Sequence, residues 1–131
     1  NYDFIFTTRY EKPGGSEDDT IITYIGNKLF TMIGQKIFSL KITDILYTFV
    51  MGQTKAFNQL DITSNDFKFC VEFPIKMELN QMTYKCIPSF EKRRIAGKKK
   101  VNALFDGFLI LTEMLKLFFI HKLIKKKKIN S

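Results

Sequence analysis

The alternation of apolar and polar residues divides the chain into short apolar runs and longer helical repeats. Residues 3–7 (DFIFT) form a continuous apolar run of strand length, which is typical of a buried parallel strand. Apolar positions recur with helical spacing over residues 20–38 and again over 66–81, where Pro74 would lie in or near the first turns. Residues 82–88 predict a second short strand.

Three further segments complete this order. Residues 11–19 (EKPGGSEDD) are rich in Pro, Gly and acidic side chains, which predicts a loop. Residues 42–51 are apolar around Asp44 and are strand-like, and residues 54–60 indicate a short helix or turn. The order of strand, helix, strand-like segment, helix, strand and helix favours an α/β sheet over a helical bundle.

Residues 102–124 predict a long helix with about the length that crosses a bilayer. Its polar residues argue against a span, because at helical spacing they share one narrow face: Asn102, Asp106, Glu113 and Lys116. We expect a helix that lies in the membrane interface or packs under other helices. The lysines at 125–128 follow as a basic tail that would meet anionic headgroups, the alternative being a core helix with a solvated tail.

Composition narrows the class of protein. The 131 residues suit one domain, and a hydrophobic content of 45% with 26% charged residues favours a globular chain over a disordered one. The net charge of +8 suggests an anionic partner, namely nucleic acid, a membrane surface or a phosphorylated ligand. Of the 21 basic residues 18 are Lys and 3 are Arg, and an AT-rich genome would also produce this excess of Lys. RNA binding is disfavoured because Phe and Lys are not interleaved along a strand.

Cysteine and histidine are too few to build a metal or disulfide framework. Cys70, Cys86 and His121 show no metal-ligand spacing. The two cysteines are therefore expected to be reduced thiols in the core of a cytosolic protein.

Basic residues concentrate in residues 87–101 (IPSFEKRRIAGKKKV), where a strand ends in proline, a basic turn and a glycine follow, and lysines open a helix. Like charges repel, so a phosphate-rich ligand would account for the cluster. Lysines at a helix start oppose the helix dipole, which again suits a bound anion. The alternative is a solvated basic loop.

This stretch resembles the P-x-x-x-x-x-R-x-x-G-x-S-K segment of family 2 glycosyltransferases that act on polyprenyl phosphates. The matching residues are Pro88, Arg94, Gly97 and Lys100, and a lysine replaces the usual serine at 99. Three more segments resemble that family in the same order along the chain: D-F-I-F-T-T-R-Y, its D-x-x-x-G-S-R-Y strand; K-I-T-D-I-L, its S-D-P element; and F-K-F-C-V-E, its F-x-F-E-x-E element. Residues 47–49 lack the Gly-Phe of the usual element.

The resemblance implies a partial GT-A (Rossmann-like) sheet with flanking helices and a C-terminal amphipathic helix. Residues 1–101 would be the acceptor-side half of the domain, and residues 102–131 the amphipathic helix and basic tail. The family's nucleotide-binding strands and its Asp-x-Asp metal site precede this part. The chain is therefore expected to be a C-terminal fragment that is inactive alone. The complete enzyme would need Mg²⁺ or Mn²⁺, with no ligands for it in this chain.

The resemblance also suggests roles for individual residues. Asp44 is the catalytic candidate, since transfer to a phosphate needs a carboxylate near the attacking oxygen or one that positions the acceptor. A salt-bridged structural Asp is the alternative. Phosphate would be bound by basic side chains, with Arg preferred for its bidentate fork: Arg9, Arg94, Lys98 and Lys100. Glu72 and Gly97 would be structural.

Two functions follow as hypotheses. The first is an enzyme that moves a sugar from a nucleotide-sugar donor to a polyprenyl-phosphate or related acceptor, in the cytoplasm and peripheral on the membrane face, with no nucleic-acid partner. The second is a non-enzymatic basic module that docks on anionic membrane or nucleic acid.

Overall fold

A computed structural model describes residues 1–97 and 101–129, with side chains through residue 123. These residues form five strands and four helices: β1 (Phe4–Thr8), β2 (Gly15–Ser16), α1 (Ile21–Phe38), β3 (Val50–Gly52), α2 (Thr54–Asn58), α3 (Phe69–Leu79), β4 (Tyr84–Pro88), β5 (Phe90–Glu91) and α4 (Ala103–Ile129). The predicted α/β class is confirmed.

Strand β1 is the centre of a small mixed sheet. It pairs in parallel with β4, from Phe4 opposite Tyr84 to Thr8 opposite Pro88, and antiparallel with β3 on its other side. β1 is buried along nearly its whole length, as its continuous apolar run predicts. Because parallel strands end at the same edge, the residues after β1 and after β4 emerge together. There β2 and β5 form a second, two-residue parallel pair.

Helix α1 begins and ends where its capping residues lie. Thr20 accepts a hydrogen bond from the backbone N–H of Thr23, whose hydroxyl accepts one from Thr20 in return. The helix ends at Ser39 in the left-handed conformation. Its inner face carries Asn27 and Phe30, while Ile22 and Ile25 on the outer face stay exposed.

The strand-like prediction for residues 42–51 is wrong except at its end, where β3 lies. The preceding residues form a loop that is buried around Asp44, where side chains of α1, rather than a neighbouring strand, accept its backbone hydrogen bonds. The N–H of Ile45 donates to Thr31 Oγ1 at 3.2 Å, and the N–H of Leu46 donates to Asn27 Oδ1 at 3.2 Å. The loop therefore carries Asp44 directly against α1.

Helix α4 begins at a cap formed by Asn102 and Asp106, each accepting a backbone hydrogen bond near the first turn. The helix continues to Ile129, so the predicted basic tail at 125–128 lies within it, which corrects that expectation. No helix in the described part of the chain combines the length and the apolar character that crossing a bilayer requires.

The orientation of α4 is unusual for a helix on a protein surface. Its two acidic residues, Asp106 and Glu113, are buried, and its outward face is mostly apolar, with Leu104 and Phe108 88% and 64% exposed. The inward face also contributes apolar side chains to the core that the sheet, α1 and α3 share: Ile110, Met114 and Leu117. α4 thus packs on the rest of the chain while leaving a large apolar surface uncovered.

Candidate functional site

A buried ion pair joins the end of β1 to the loop after α1. Arg9 donates from Nε to Asp44 Oδ2 at 2.8 Å and from Nη2 to Oδ1 at 2.9 Å, which is the bidentate arrangement that Arg and carboxylates favour. The backbone N–H of Arg9 also donates to Oδ2, at 3.0 Å. The side chain of Asp44 is fully buried and that of Arg9 is 10% exposed.

Side chains from α1 and from the loop before it extend this pair into a network. Asn27 donates from Nδ2 to Asp44 Oδ1 and to the hydroxyl of Tyr10. Tyr10 donates in turn to Asp19 Oδ2 at 2.9 Å. Burial and the hydrogen bond to Asp19 raise the pKa of Tyr10 above its ordinary value, so its hydroxyl keeps its proton at neutral pH.

Glu91 holds the remaining edge of the Arg9 guanidinium. Arg9 Nη1 donates to Glu91 Oε2 at 2.9 Å, and the hydroxyl of Ser16 donates to the same oxygen at 2.6 Å. The ring of Tyr47 lies 4.5 Å from the guanidinium carbon. Burial alone would lower the pKa of Arg9, but its bonds to Asp44 and Glu91 raise it above the ordinary value. Every guanidinium nitrogen of Arg9 thus has an acceptor within the protein.

An open groove of about 800 Å³ lies beside this network, between α1, the loop at 46–49 and the start of α4. The charged end of the groove consists of Arg9 and Arg94 with three carboxylates, those of Asp18, Asp19 and Glu91. Asp106 also lines the groove, at the start of α4. The walls are mostly apolar and come from several segments: Ile22, Ile25, Phe30, Leu46, Phe49, Phe67, Leu104 and Ile110. The groove therefore combines a charged end with an apolar trench, a shape that suits an amphipathic ligand.

Arg94 lies on the rim of the groove and is paired differently from Arg9. It donates to Asp18 Oδ2 from Nη2 at 2.8 Å and from Nε at 3.1 Å. The side chain is 40% exposed, so this pair is in contact with solvent. The hydrogen bonds to Asp18 raise the pKa of Arg94, and the guanidinium is charged at every physiological pH.

The predicted site residues therefore fall into three groups. Arg9, Asp44 and Arg94 line or adjoin the groove. Glu72 is not among the residues that line it, and Gly97 lies in the turn after Arg94 with a positive φ of 85°, which favours glycine. Lys98 and Lys100 are outside the described residues.

Glu72 is buried at the start of α3 and serves the loop before that helix. Its carboxylate accepts hydrogen bonds from the backbone N–H groups of Thr63 and Ser64 and pairs with Lys76 at 2.7 Å. Burial would raise the pKa of Glu72, but these bonds outweigh it and hold the pKa well below the ordinary range. The Glu72 carboxylate therefore links the loop at 63–64 to α3.

Sequence reasoning missed Asp18, Tyr10 and Glu91. Asp18 belongs to the segment at 11–19, whose composition predicts only a loop, and Glu91 occupies a variable position of the basic motif. Their position in the sequence could have indicated them, because residues that follow parallel strands meet at one edge of the sheet. Applied to β1 and β4, that rule brings the residues after Thr8 and after Pro88 together.

No group of three His, Cys, Asp or Glu side chains in the described ranges is arranged to hold a metal ion. Comparison of the chain with known protein families, with curated proteins and with solved structures finds no match.

Proposed function

We propose that this chain is the acceptor-binding half of a GT-A glycosyltransferase that transfers a sugar from a nucleotide-sugar donor to a polyprenyl-phosphate or related acceptor. The observation that carries the proposal is the groove, whose charged end and apolar trench correspond to the phosphate and the hydrocarbon chain of such an acceptor. The segments that resemble family motifs supply Arg9, Asp44 and Arg94 to this one region, which supports a shared site.

Within this proposal the two arginines have different tasks. Arg94 is exposed at the rim and bonded to a single carboxylate edge, so its guanidinium can exchange that partner for an acceptor phosphate. Arg9 is held by Asp44 and Glu91 and lines the charged end. Asp44 then acts by positioning Arg9 and Asn27, because both of its oxygens are already occupied.

The nucleotide-sugar and its Mg²⁺ or Mn²⁺ would be bound by residues outside this chain. The 131 residues alone are therefore expected to bind an acceptor without turning over a donor.

A membrane surface is the second partner that we propose. The outward apolar face of α4 and the exposed isoleucines of α1, Ile22 and Ile25, border the same groove. An uncovered apolar surface of this kind marks an interaction site, and the lysines at 122 and 125–128 favour an anionic bilayer as its partner. A peripheral position on the cytoplasmic membrane face would let a lipid acceptor reach the groove directly.

α4 buries its acidic residues and exposes an apolar face, which also supports the alternative of a membrane-docking module without enzymatic activity. The two functions differ in what they require of Arg94. An acceptor site needs its bidentate fork, whereas a docking module needs only positive charge.

The test is binding of geranyl phosphate, a short prenyl monophosphate, to the chain and to two variants. Arg94→Gln is expected to weaken binding about 10- to 100-fold, the effect of losing one charged hydrogen-bonding group. The matched control is Lys92→Gln, which removes one charge from an exposed neighbour and should change binding less than about twofold. Equal losses in both variants would favour the docking module, and equal affinity for geraniol would exclude a phosphate site.

A further inference from the structure

The loop after β2 supplies a carboxylate that occupies the phosphate-binding edge of Arg94. Asp18 accepts from Nε and Nη2 of Arg94, and this is the edge through which a guanidinium binds two phosphate oxygens side by side. Both residues line the groove. A phosphate that reaches Arg94 through this edge must therefore displace Asp18.

Backbone pairing holds Asp18 in register with Arg94. Ser16 lies opposite Glu91 in the β2–β5 pair, and the N–H of Glu17 donates to the carbonyl of Glu91 at 2.9 Å. The backbone N–H of Asp18 donates to the hydroxyl of Ser16 at 3.1 Å. The carboxylate is thus presented by a fixed strand pair rather than by a chance contact of two long side chains.

Exposure separates this pair from the one at Arg9. The Arg9–Asp44 pair is buried and hydrogen-bonded on every side, so breaking it is costly. The Arg94–Asp18 pair has side chains 40% and 14% exposed, and exposed pairs contribute little net stability. Exchange of a carboxylate for a phosphate is therefore feasible at Arg94 and unfavourable at Arg9.

We infer that Asp18 is an intramolecular competitor for the acceptor phosphate and so sets the affinity of the site for it. This inference rests on the proposed function, because it takes Arg94 as the phosphate ligand. The bound carboxylate keeps Arg94 oriented toward the groove in the absence of ligand. It also weakens the binding of any anion that cannot replace both of its hydrogen bonds.

The test measures binding of geranyl phosphate and of inorganic phosphate by calorimetry. Asp18→Asn is expected to bind both about two- to fivefold more tightly at physiological ionic strength, the effect of releasing an exposed pair. Glu17→Gln is the matched control, since it removes the same charge one residue away, from a carboxylate that accepts a hydrogen bond from the backbone N–H of Arg93. Its affinity should change less than about 1.5-fold.

The double variant Asp18→Asn/Arg94→Gln identifies the route of the effect. It should bind like Arg94→Gln alone, because the gain acts through Arg94. Unchanged affinity in Asp18→Asn, an equal gain in Glu17→Gln, or a gain confined to geranyl phosphate would each overturn the inference while leaving Arg94 as the phosphate ligand. Wild-type affinity in Arg94→Gln would instead refute the proposed function.

A second measurement does not depend on the stability of any variant. The Nε–Hε resonance of Arg94 in the unmodified chain is expected to shift as phosphate is added, because its acceptor changes from Asp18 to phosphate. A resonance that stays in place while phosphate binds would overturn the inference.

Discussion

Replacing Asp44 by Asn removes the charge that holds Arg9 at the charged end of the groove. In the native chain Oδ2 accepts from the backbone N–H and Nε of Arg9, and Oδ1 accepts from Nη2 of Arg9 and from Asn27. An asparagine offers one oxygen in place of two. In either orientation its amide NH₂ faces a donor, so the contacts of one oxygen are lost and a donor–donor contact replaces them.

The expected loss of unfolding free energy is about 3 kcal/mol. Removing one partner of a buried pair costs about 3–5 kcal/mol because the other charge is left unpaired. The lower end applies here, since Arg9 keeps its bond to Glu91 at 2.9 Å and is 10% exposed. Urea unfolding followed by far-UV circular dichroism measures the difference, with all variants in the same buffer.

The control is the same substitution at an exposed ion pair. Asp66 lies 3.4 Å from Lys68, with both side chains about a third exposed, and Asp66→Asn should cost less than about 1 kcal/mol. If Asp44→Asn costs no more than Asp66→Asn, the Arg9–Asp44 pair does not stabilise the folded chain. In a complete enzyme, Asp44→Asn should also lower turnover strongly in the fraction that remains folded.

Two further predictions concern acid stability and the membrane surface. The pKa of Glu72 is depressed in the folded chain, so its contribution to stability is complete above the unfolded value near 4.5 and is lost as the pH falls below it. Glu72→Gln should therefore cost about 2–3 kcal/mol in urea unfolding at pH 7 and clearly less at pH 3; an equal cost at both pH values would contradict this. Leu104→Ser with Phe108→Ser should leave the melting temperature nearly unchanged but weaken flotation with anionic vesicles by at least about tenfold, since each side chain is exposed and would be buried in lipid. The wild-type chain should be released from the vesicles at high salt. Retention on the vesicles at high salt, or a large loss of melting temperature in the variant, would contradict the interfacial orientation of α4.

Local patterns were sufficient to predict most of the secondary structure. β1 follows from one apolar run, and α1, α3 and α4 follow from apolar residues at helical spacing, so each depends on residues close in sequence. The cap at Thr20 also acts within a single helical turn. The α/β class followed from the order of these segments. The candidates Arg9, Asp44 and Arg94 were also named from the sequence, through residue type and a resemblance to one family.

The tertiary structure decided what those residues contact. Arg9 and Asp44 are 35 positions apart. They meet because the loop after α1 donates backbone hydrogen bonds to Thr31 and Asn27 instead of joining the sheet. For the same reason, only the end of the segment at 42–51 that was predicted to be strand-like belongs to a strand, β3. Likewise, the helical repeat of α4 defines a polar and an apolar face but does not determine which face packs against the rest of the chain. Packing against α1 and α3 turned its acidic residues inward and left its apolar face exposed, because long-range contacts determine which surface loses water.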